Sequence, residues 1–293
     1  MSANAEREAE ALERIVRSVA ASRKYAGVVE GVVRRAASRA LEAGVSEREA
    51  LARTRRKLHQ LTGAFIDPVL HRRIEAILGS LEQCPRGPAE AWTDALREAS
   101  LGILALHAST AERIAECEEL YRAIYAGFGA APLRVLDLGC GLNPFALPWM
   151  RLPPGTEYHA VDLDRRIIGF VDRYHRLRAQ PGSAVAGDVL GGGLPPGKWD
   201  VVLLLKLLPT LEREEPGSPE RLIRSLDATL FAVSYPRTSL GGRRKGMDEH
   251  YEAELAETAS RCGLVTGTRV FRSEMLYLCR RKAASPIDRG PVG

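Results

Sequence analysis

The feature that most constrains how this chain folds is a change of texture after Ala131-Pro132. Five short runs rich in aliphatic and β-branched residues follow, at 133–139, 157–162, 183–188, 199–205 and 229–234. The segments between them are long enough for crossover helices, and strands joined that way lie parallel, because a right-handed βαβ crossover packs back onto its own sheet. Two further runs, 266–271 and 275–280, are joined by a link too short for a helix. They are expected to pair as an antiparallel hairpin at a sheet edge. The second part of the chain is therefore α/β, with seven strands, mostly parallel.

Before residue 130 no strand signal occurs. Leu12, Ile15, Val16 and Val19 recur at helical spacing, and Val29, Val32, Val33 and Ala36 repeat the pattern after a break near Gly27. Further helices are expected over 47–61, 69–81, 89–106 and 111–128, punctuated by Pro85, Gly87 and Pro88. This predicts an all-helical domain over 1–106, an α/β domain over 107–282, and a Pro- and Gly-rich tail over 283–293 that is expected to be disordered.

Charge is distributed unevenly. From Arg14 to Arg73 there are fourteen Arg or Lys and five acids, although the whole chain carries only +5. A surplus of this kind suits a polyanion, because neutralising each phosphate releases condensed counterions. On spacing alone, solvated helix faces explain the same arginines equally well. The longest apolar runs, such as 201–208, are too short to cross a bilayer, and no signal-peptide block opens the chain, so a cytoplasmic protein without a membrane partner is expected. The five cysteines are scattered without metal-ligand spacing, so neither a metal site nor a disulfide framework is expected.

The chemistry is expected at the carboxyl edge of the sheet. Asp137-Leu-Gly-Cys-Gly-Leu-Asn-Pro144 follows a strand and opens a helix. Gly139 and Gly141 permit a tight turn and close approach of a ligand, with Asn143 read as N-cap and Pro144 as first helical residue. An ordinary strand-to-helix turn uses the same residues. Asp162 ends the second strand, where a carboxylate accepts both hydroxyls of a ribose, and Asp188 ends the third, beside the place of an adenine. Singly each aspartate is a helix cap; together the acids and glycines on one rim describe a nucleoside pocket. A dinucleotide fingerprint needs a third glycine where this chain has Phe145, which disfavours NAD. Asp137 two residues before the first glycine is similar to the Asp/Glu-x-Gly-x-Gly motif of methyltransferases, and S-adenosylmethionine fits better.

Upstream, Ser109 and Glu112 read as a capping box. That helix start and Arg113 offer a dipole, backbone donors and a charge to a carboxylate such as the methionyl end of the cofactor, although from the residues alone a surface arginine on a capped helix is the better account. After the fifth strand, Arg237, Arg243, Arg244 and Lys245 sit in a glycine-flanked basic loop that leaves from the functional edge. Phosphate contact is expected there.

Several motifs together resemble the aminoglycoside-resistance 16S rRNA (guanine(1405)-N7)-methyltransferases, over most of the chain. They are Lys24-Tyr25, Arg56-Lys-Leu-His-Gln60 leading to Phe65, His107-Ala-Ser109 with Arg113, the 137–144 loop, Leu204-Leu-Lys-Leu-Leu-Pro209 and Ser239-Leu-Gly-Gly-Arg-Arg-Lys-Gly246. The resemblance implies a class I, Rossmann-like S-adenosylmethionine-dependent methyltransferase fold with a seven-stranded, mostly parallel sheet and an N-terminal helical domain that docks on the small ribosomal subunit. It implies a cofactor site of Phe65, His107, Ala108, Ser109, Arg113, Gly139, Asp162, Leu163, Asp188, Val189 and Leu204. It implies RNA contacts from Lys24, Arg55, Arg56, Lys57, Lys206, Arg237, Arg243, Arg244 and Lys245, in a monomer acting on 16S rRNA within the 30S subunit. Guanine N7 carries an exposed lone pair, so no catalytic base is expected. The alternatives are methylation of adenine N1 in the same decoding site, a small-molecule methyltransferase, and an RNA-binding module without catalysis.

Overall fold

The computed structural model describes residues 3–62, 67–84, 89–237 and 247–281. The chain divides into two compact units, residues 1–197 and 198–293.

The first unit opens with helices α1 (Ala3–Ala20), α2 (Glu30–Glu42) and α3 (Glu47–Thr62). Their apolar stripes close on one another: Ile15, Val19, Val32, Ala37 and Leu58 are all at most 2% exposed. Removing the Leu58 side chain would cost about 2–5 kcal/mol on that ground. Helix α4 (Pro68–Gln83) starts where Asp67 accepts a hydrogen bond from the Val69 N–H, with proline at the first helical position. Helix α5 (Ala89–Leu104) follows.

The helix expected over 111–128 is broken into pieces. A one-turn helix α6 (Ala108–Ala111) and a 3-10 turn (Ile114–Glu116) precede α7 (Cys117–Tyr125). Strands β1 (Arg134–Leu138), β2 (Glu157–Asp162) and β3 (Gly182–Ala186) are parallel, with Asp137 opposite Ala160 and Asp162 opposite Ala186. Between β1 and β2 lie only a 3-10 turn (Asn143–Ala146) and the short helix α8 (Leu147–Met150). Helix α9 (Arg165–Arg178) makes the next crossover and buries Ile167, Val171 and Tyr174. No helix joins β3 to the following strand, although a crossover helix was expected there. Gly191-Gly-Gly193 and Pro195-Pro196 occupy that link, and these residues oppose helix formation.

In the second unit, β4 (Lys198–Leu205) pairs in parallel with β5 (Asp227–Pro236), and helices α10 (Leu208–Glu214) and α11 (Ser218–Ser225) form the crossover. After α12 (Met247–Arg261), the hairpin β6 (Leu264–Val270) and β7 (Glu274–Arg281) returns antiparallel, and β7 rather than β6 pairs with β5. Strand order is β3-β2-β1-β4-β5-β7-β6. Among the described residues no helix is long and apolar enough to cross a membrane.

Candidate functional site

The loop after β1 is a tight turn made by glycine. Gly139 and Gly141 have φ of +62° and +48°, the left-handed region that costs a side chain energy. Two hydrogen bonds tie the loop to the end of β2. Cys140 N–H donates to the Val161 carbonyl at 3.0 Å, and Gly141 N–H donates to Asp162 Oδ2 at 2.9 Å. The other Asp162 oxygen accepts from the Asp164 N–H at 3.0 Å. Burial raises the pKa of this carboxyl, and the backbone donors oppose that shift. A carboxylate fixed by main-chain donors under a turn whose two glycines carry no side chain suits a ribose diol, so these residues fit a nucleoside cofactor.

Asp137 and Asn143 serve the loop from below. Asn143 is not the expected N-cap: it sits inside the 3-10 turn, which Leu142 precedes, and makes no capping bond. Its amide is committed elsewhere. Nδ2 donates to Asp137 Oδ2 at 3.0 Å, while Oδ1 accepts from Arg113 Nη1 at 2.9 Å and from the Tyr121 hydroxyl at 2.5 Å. Tyr158 also donates to Asp137 Oδ2, at 2.6 Å. All five side chains are at most 4% exposed, and burial pushes Asp137 up to about 6. Asn143 is thus the centre of a buried hydrogen-bond network.

The expected capping box is also replaced. His107 caps α6, its Nδ1 accepting from the Ser109 N–H at 3.3 Å, and the Ser109 hydroxyl lies 2.9 Å from the same nitrogen. Capping by the imidazole displaces Ser109 because the helix begins two residues earlier than the Ser–Glu spacing indicates. Arg113 is buried beside Asn143 rather than exposed on a helix surface.

Ala108 is exposed, and Gly139 and Val189 are half-buried. Leu163 packs against the helical core of α1–α3, and its carbonyl accepts from the Val29 N–H at 2.9 Å. Asp188 accepts from the Leu190 N–H at 3.0 Å and forms an ion pair with Arg35 of α2. In the second unit, Leu204 is fully buried in β4. Lys206, just beyond that strand, has φ +58°, and its N–H donates to the Ser234 carbonyl at 2.9 Å. A lysine held in the left-handed region is strained. Arg237 Nη1 donates to the Phe271 carbonyl at 3.0 Å. Phe65, Arg243, Arg244 and Lys245 lie outside the described residues.

The basic helices border a cleft of about 1140 Å³ in the first unit. Arg23, Lys24, His59, His71, Arg72, Arg165 and Arg166 line it, with Asp67 as the one carboxylate among the described lining residues. Arg55 and Arg56 are exposed on α3 and Lys57 is half-buried there; the Arg55 carbonyl accepts from the Tyr25 hydroxyl at 3.0 Å. Arg165 and Arg166 were not singled out in the sequence, because they become neighbours of Lys24 only through the tertiary fold. Among the described residues no cluster of three or more His, Cys, Asp or Glu is arranged to hold a metal ion.

Strand order, the hairpin return and the glycine–aspartate rim define a class I S-adenosylmethionine-dependent methyltransferase. Comparison with known proteins narrows the class. The profile of the FmrO ribosomal RNA methyltransferase family matches residues 21–278, and the chain belongs to that family. It is 37% identical to the 16S rRNA (guanine(1405)-N(7))-methyltransferase of Frankia casuarinae, over 93% of this chain and 94% of that protein. It is 31% identical to the enzyme of the same name from Serratia marcescens, over 90% of this chain and 96% of the other. Among solved structures, the 16S rRNA methyltransferase RmtF in complex with S-adenosyl-L-homocysteine superposes with a TM-score of 0.76 at 30% identity, covering 93% of this chain and 99% of that one.

Proposed function

We propose that this protein transfers a methyl group from S-adenosylmethionine to N7 of guanine 1405 in 16S rRNA, acting as a cytoplasmic monomer on the 30S subunit. The carrying observation is the Asp162 carboxylate, clamped by Gly141 and Asp164 beneath a left-handed glycine turn. Family membership and near full-length similarity to enzymes named for this reaction support the choice of target.

When bound, S-adenosylmethionine supplies a methyl group made electrophilic by its sulfonium. The residues of the chain hold and orient. Asp162 accepts from the ribose hydroxyls and Asp188 from the adenine edge, with Phe65, His107, Ala108, Ser109, Arg113, Gly139, Leu163, Val189 and Leu204 completing the pocket. Residues 1–106 form the docking module and 107–282 the catalytic one. Lys24, Arg55, Arg56 and Lys57 engage rRNA phosphates, and the cleft beside Lys24 fits that role because its described lining holds seven cationic or imidazole side chains and one acid. Lys206, Arg237, Arg243, Arg244 and Lys245 act near the target nucleotide.

N7 attacks with a lone pair that bears no proton, so catalysis reduces to alignment, which is worth several orders of magnitude in rate. N7 faces the deep, narrow major groove of A-form RNA, and side chains do not reach it there; the base must be displaced from its helix. This requires a grip on folded ribosomal surface. The product carries a positive charge on the base, which repels a cationic aminoglycoside and confers resistance.

The test is incubation of 30S subunits with methyl-labelled cofactor, followed by mapping of the modified base. Label at N7 of guanine 1405 is expected. Label on adenine N1, or only on a small-molecule acceptor, contradicts the assignment.

A further inference from the structure

The residue that holds Asp188 comes from outside the α/β fold. Arg35, on α2, lies 153 positions upstream, and its Nη1 bonds Asp188 Oδ2; the two side chains are 20% and 9% exposed. Asp188 Oδ1 accepts from the Leu190 N–H at 3.0 Å. Both oxygens are therefore fixed. Two glycines confine the carboxylate further. A Cβ on Gly191 would lie 2.8 Å from Asp188 Oδ2, and one on Gly31, a helical turn before Arg35, would lie 3.6 Å from the same atom. The end of β2 is tied to the same helical corner: Val29 N–H donates to the Leu163 carbonyl, Arg165 N–H donates to the Gly27 carbonyl, and Ala186 packs on the α1–α3 core.

We infer that Arg35 is a positioning residue for the adenine end of the cofactor site, acting through Asp188, so that the helical docking module completes the methyl-donor pocket. The inference rests on reading the 139–188 rim as that pocket. A short aspartate in a loop otherwise samples several rotamers, and only a fixed one presents an acceptor in a constant direction. Arg35 and the Leu190 N–H each occupy one lone pair and leave one on each oxygen. A purine exocyclic amino group is a donor that such an acceptor fits. A binding site built to accept this hydrogen bond penalises an analogue that lacks the donor, because the buried acceptor then goes unmatched.

The test compares affinities of the full chain for S-adenosylhomocysteine and S-inosylhomocysteine, in which a carbonyl replaces the amino group. Calorimetry is performed on the unmodified protein and on Arg35→Gln, Arg35→Lys, Asp188→Asn and the Arg35→Gln/Asp188→Asn double variant, with melting temperatures measured alongside. The unmodified protein should prefer the adenosyl ligand by about tenfold or more. Arg35→Gln should weaken the adenosyl ligand by about tenfold and erase the preference, Arg35→Lys should restore part of it, and the double variant should lose no more than Asp188→Asn alone. With 30S subunits, Arg35→Gln should raise KM for the cofactor more than it lowers kcat. A variant that melts lower yet keeps the preference shows Arg35 to be only a clamp, and overturns the inference. If Asp188→Asn keeps the preference while Asp162→Asn abolishes binding, the inference fails and the pocket reading stands. Failure of the unmodified protein to bind either ligand defeats both.

Discussion

Replacing Asn143 with alanine tests whether the cofactor loop is held from beneath. The amide bonds three buried partners at 2.5–3.0 Å: the Tyr121 hydroxyl, Arg113 Nη1 and Asp137 Oδ2. Asn143→Ala removes the acceptor of both donors and one donor to Asp137, in a site where the partners are at most 4% exposed. Each buried polar group deprived of its partner costs about 1–3 kcal/mol, and more when charged. Tyr158 still serves Asp137, so the losses do not simply add. Removal of one member of a buried charged cluster typically costs about 3–5 kcal/mol, and that is the expected loss. It corresponds to a melting-temperature decrease on the order of 10 °C. Asn143→Asp keeps an acceptor for Arg113 and Tyr121 but sets a second carboxyl beside Asp137, whose pKa burial has already raised to about 6. Its destabilisation should therefore be smaller than that of alanine at pH 5 and grow above pH 6, as both groups ionise. Urea unfolding at the two pH values measures these differences. An alanine variant within about 1 kcal/mol of the unmodified protein, or an aspartate variant indifferent to pH, would refute the proposed network.

Three further outcomes are expected. Burial depresses His175 from 6.5 to about 4, so its contribution is complete above pH 6.5 and lost as pH falls toward 4; burial raises Asp137 from 3.8 to about 6, so its contribution is complete below 3.8 and lost as pH rises through 6. His175→Gln should remove one group that opposes the Asp137 effect, so stability measured by urea should rise less, or fall more, from pH 4 to 6 than in the unmodified protein; an unaltered profile would contradict this. A Cβ on Gly27 would lie 2.5 Å from Arg166 Nε and 2.7 Å from Asp164 Oδ1. Gly27→Ala should thus speed hydrogen exchange at the Val29 and Arg165 amides, and unchanged protection would show that the helical corner is not sensitive to this contact. Lys24→Ala and Arg72→Ala should each reduce the salt slope of 30S binding by about one, whereas an unchanged slope removes that residue from the phosphate contacts.

Much of the architecture is legible because its signals are local. The apolar runs place β1, β2 and β4 within a residue or two of their observed ends, and the short link between the last two runs correctly implies a hairpin. The left-handed glycines likewise follow from a short motif on a strand end, whereas the bond by which Gly141 clamps Asp162 joins residues 21 positions apart. What the sequence hides is partnership across long separations. Arg35 and Asp188 have no spacing that relates them, and Asn143 reads as a helix cap until Arg113, Tyr121 and Asp137 converge on it. Short helices mislead for a related reason. His107 takes the cap from Ser109, and the expected 111–128 helix breaks up, because tertiary anchoring of Arg113 outweighs local propensity.

The most direct measurement is a crystal structure of this protein bound to S-adenosylhomocysteine. Ribose hydroxyls are expected within about 3 Å of the Asp162 carboxylate, with the glycine turn against the ligand and the adenine amino group directed at Asp188 while Arg35 still holds it. A ligand seated away from the 139–141 turn, with Asp162 bonded only to its own backbone, would contradict this.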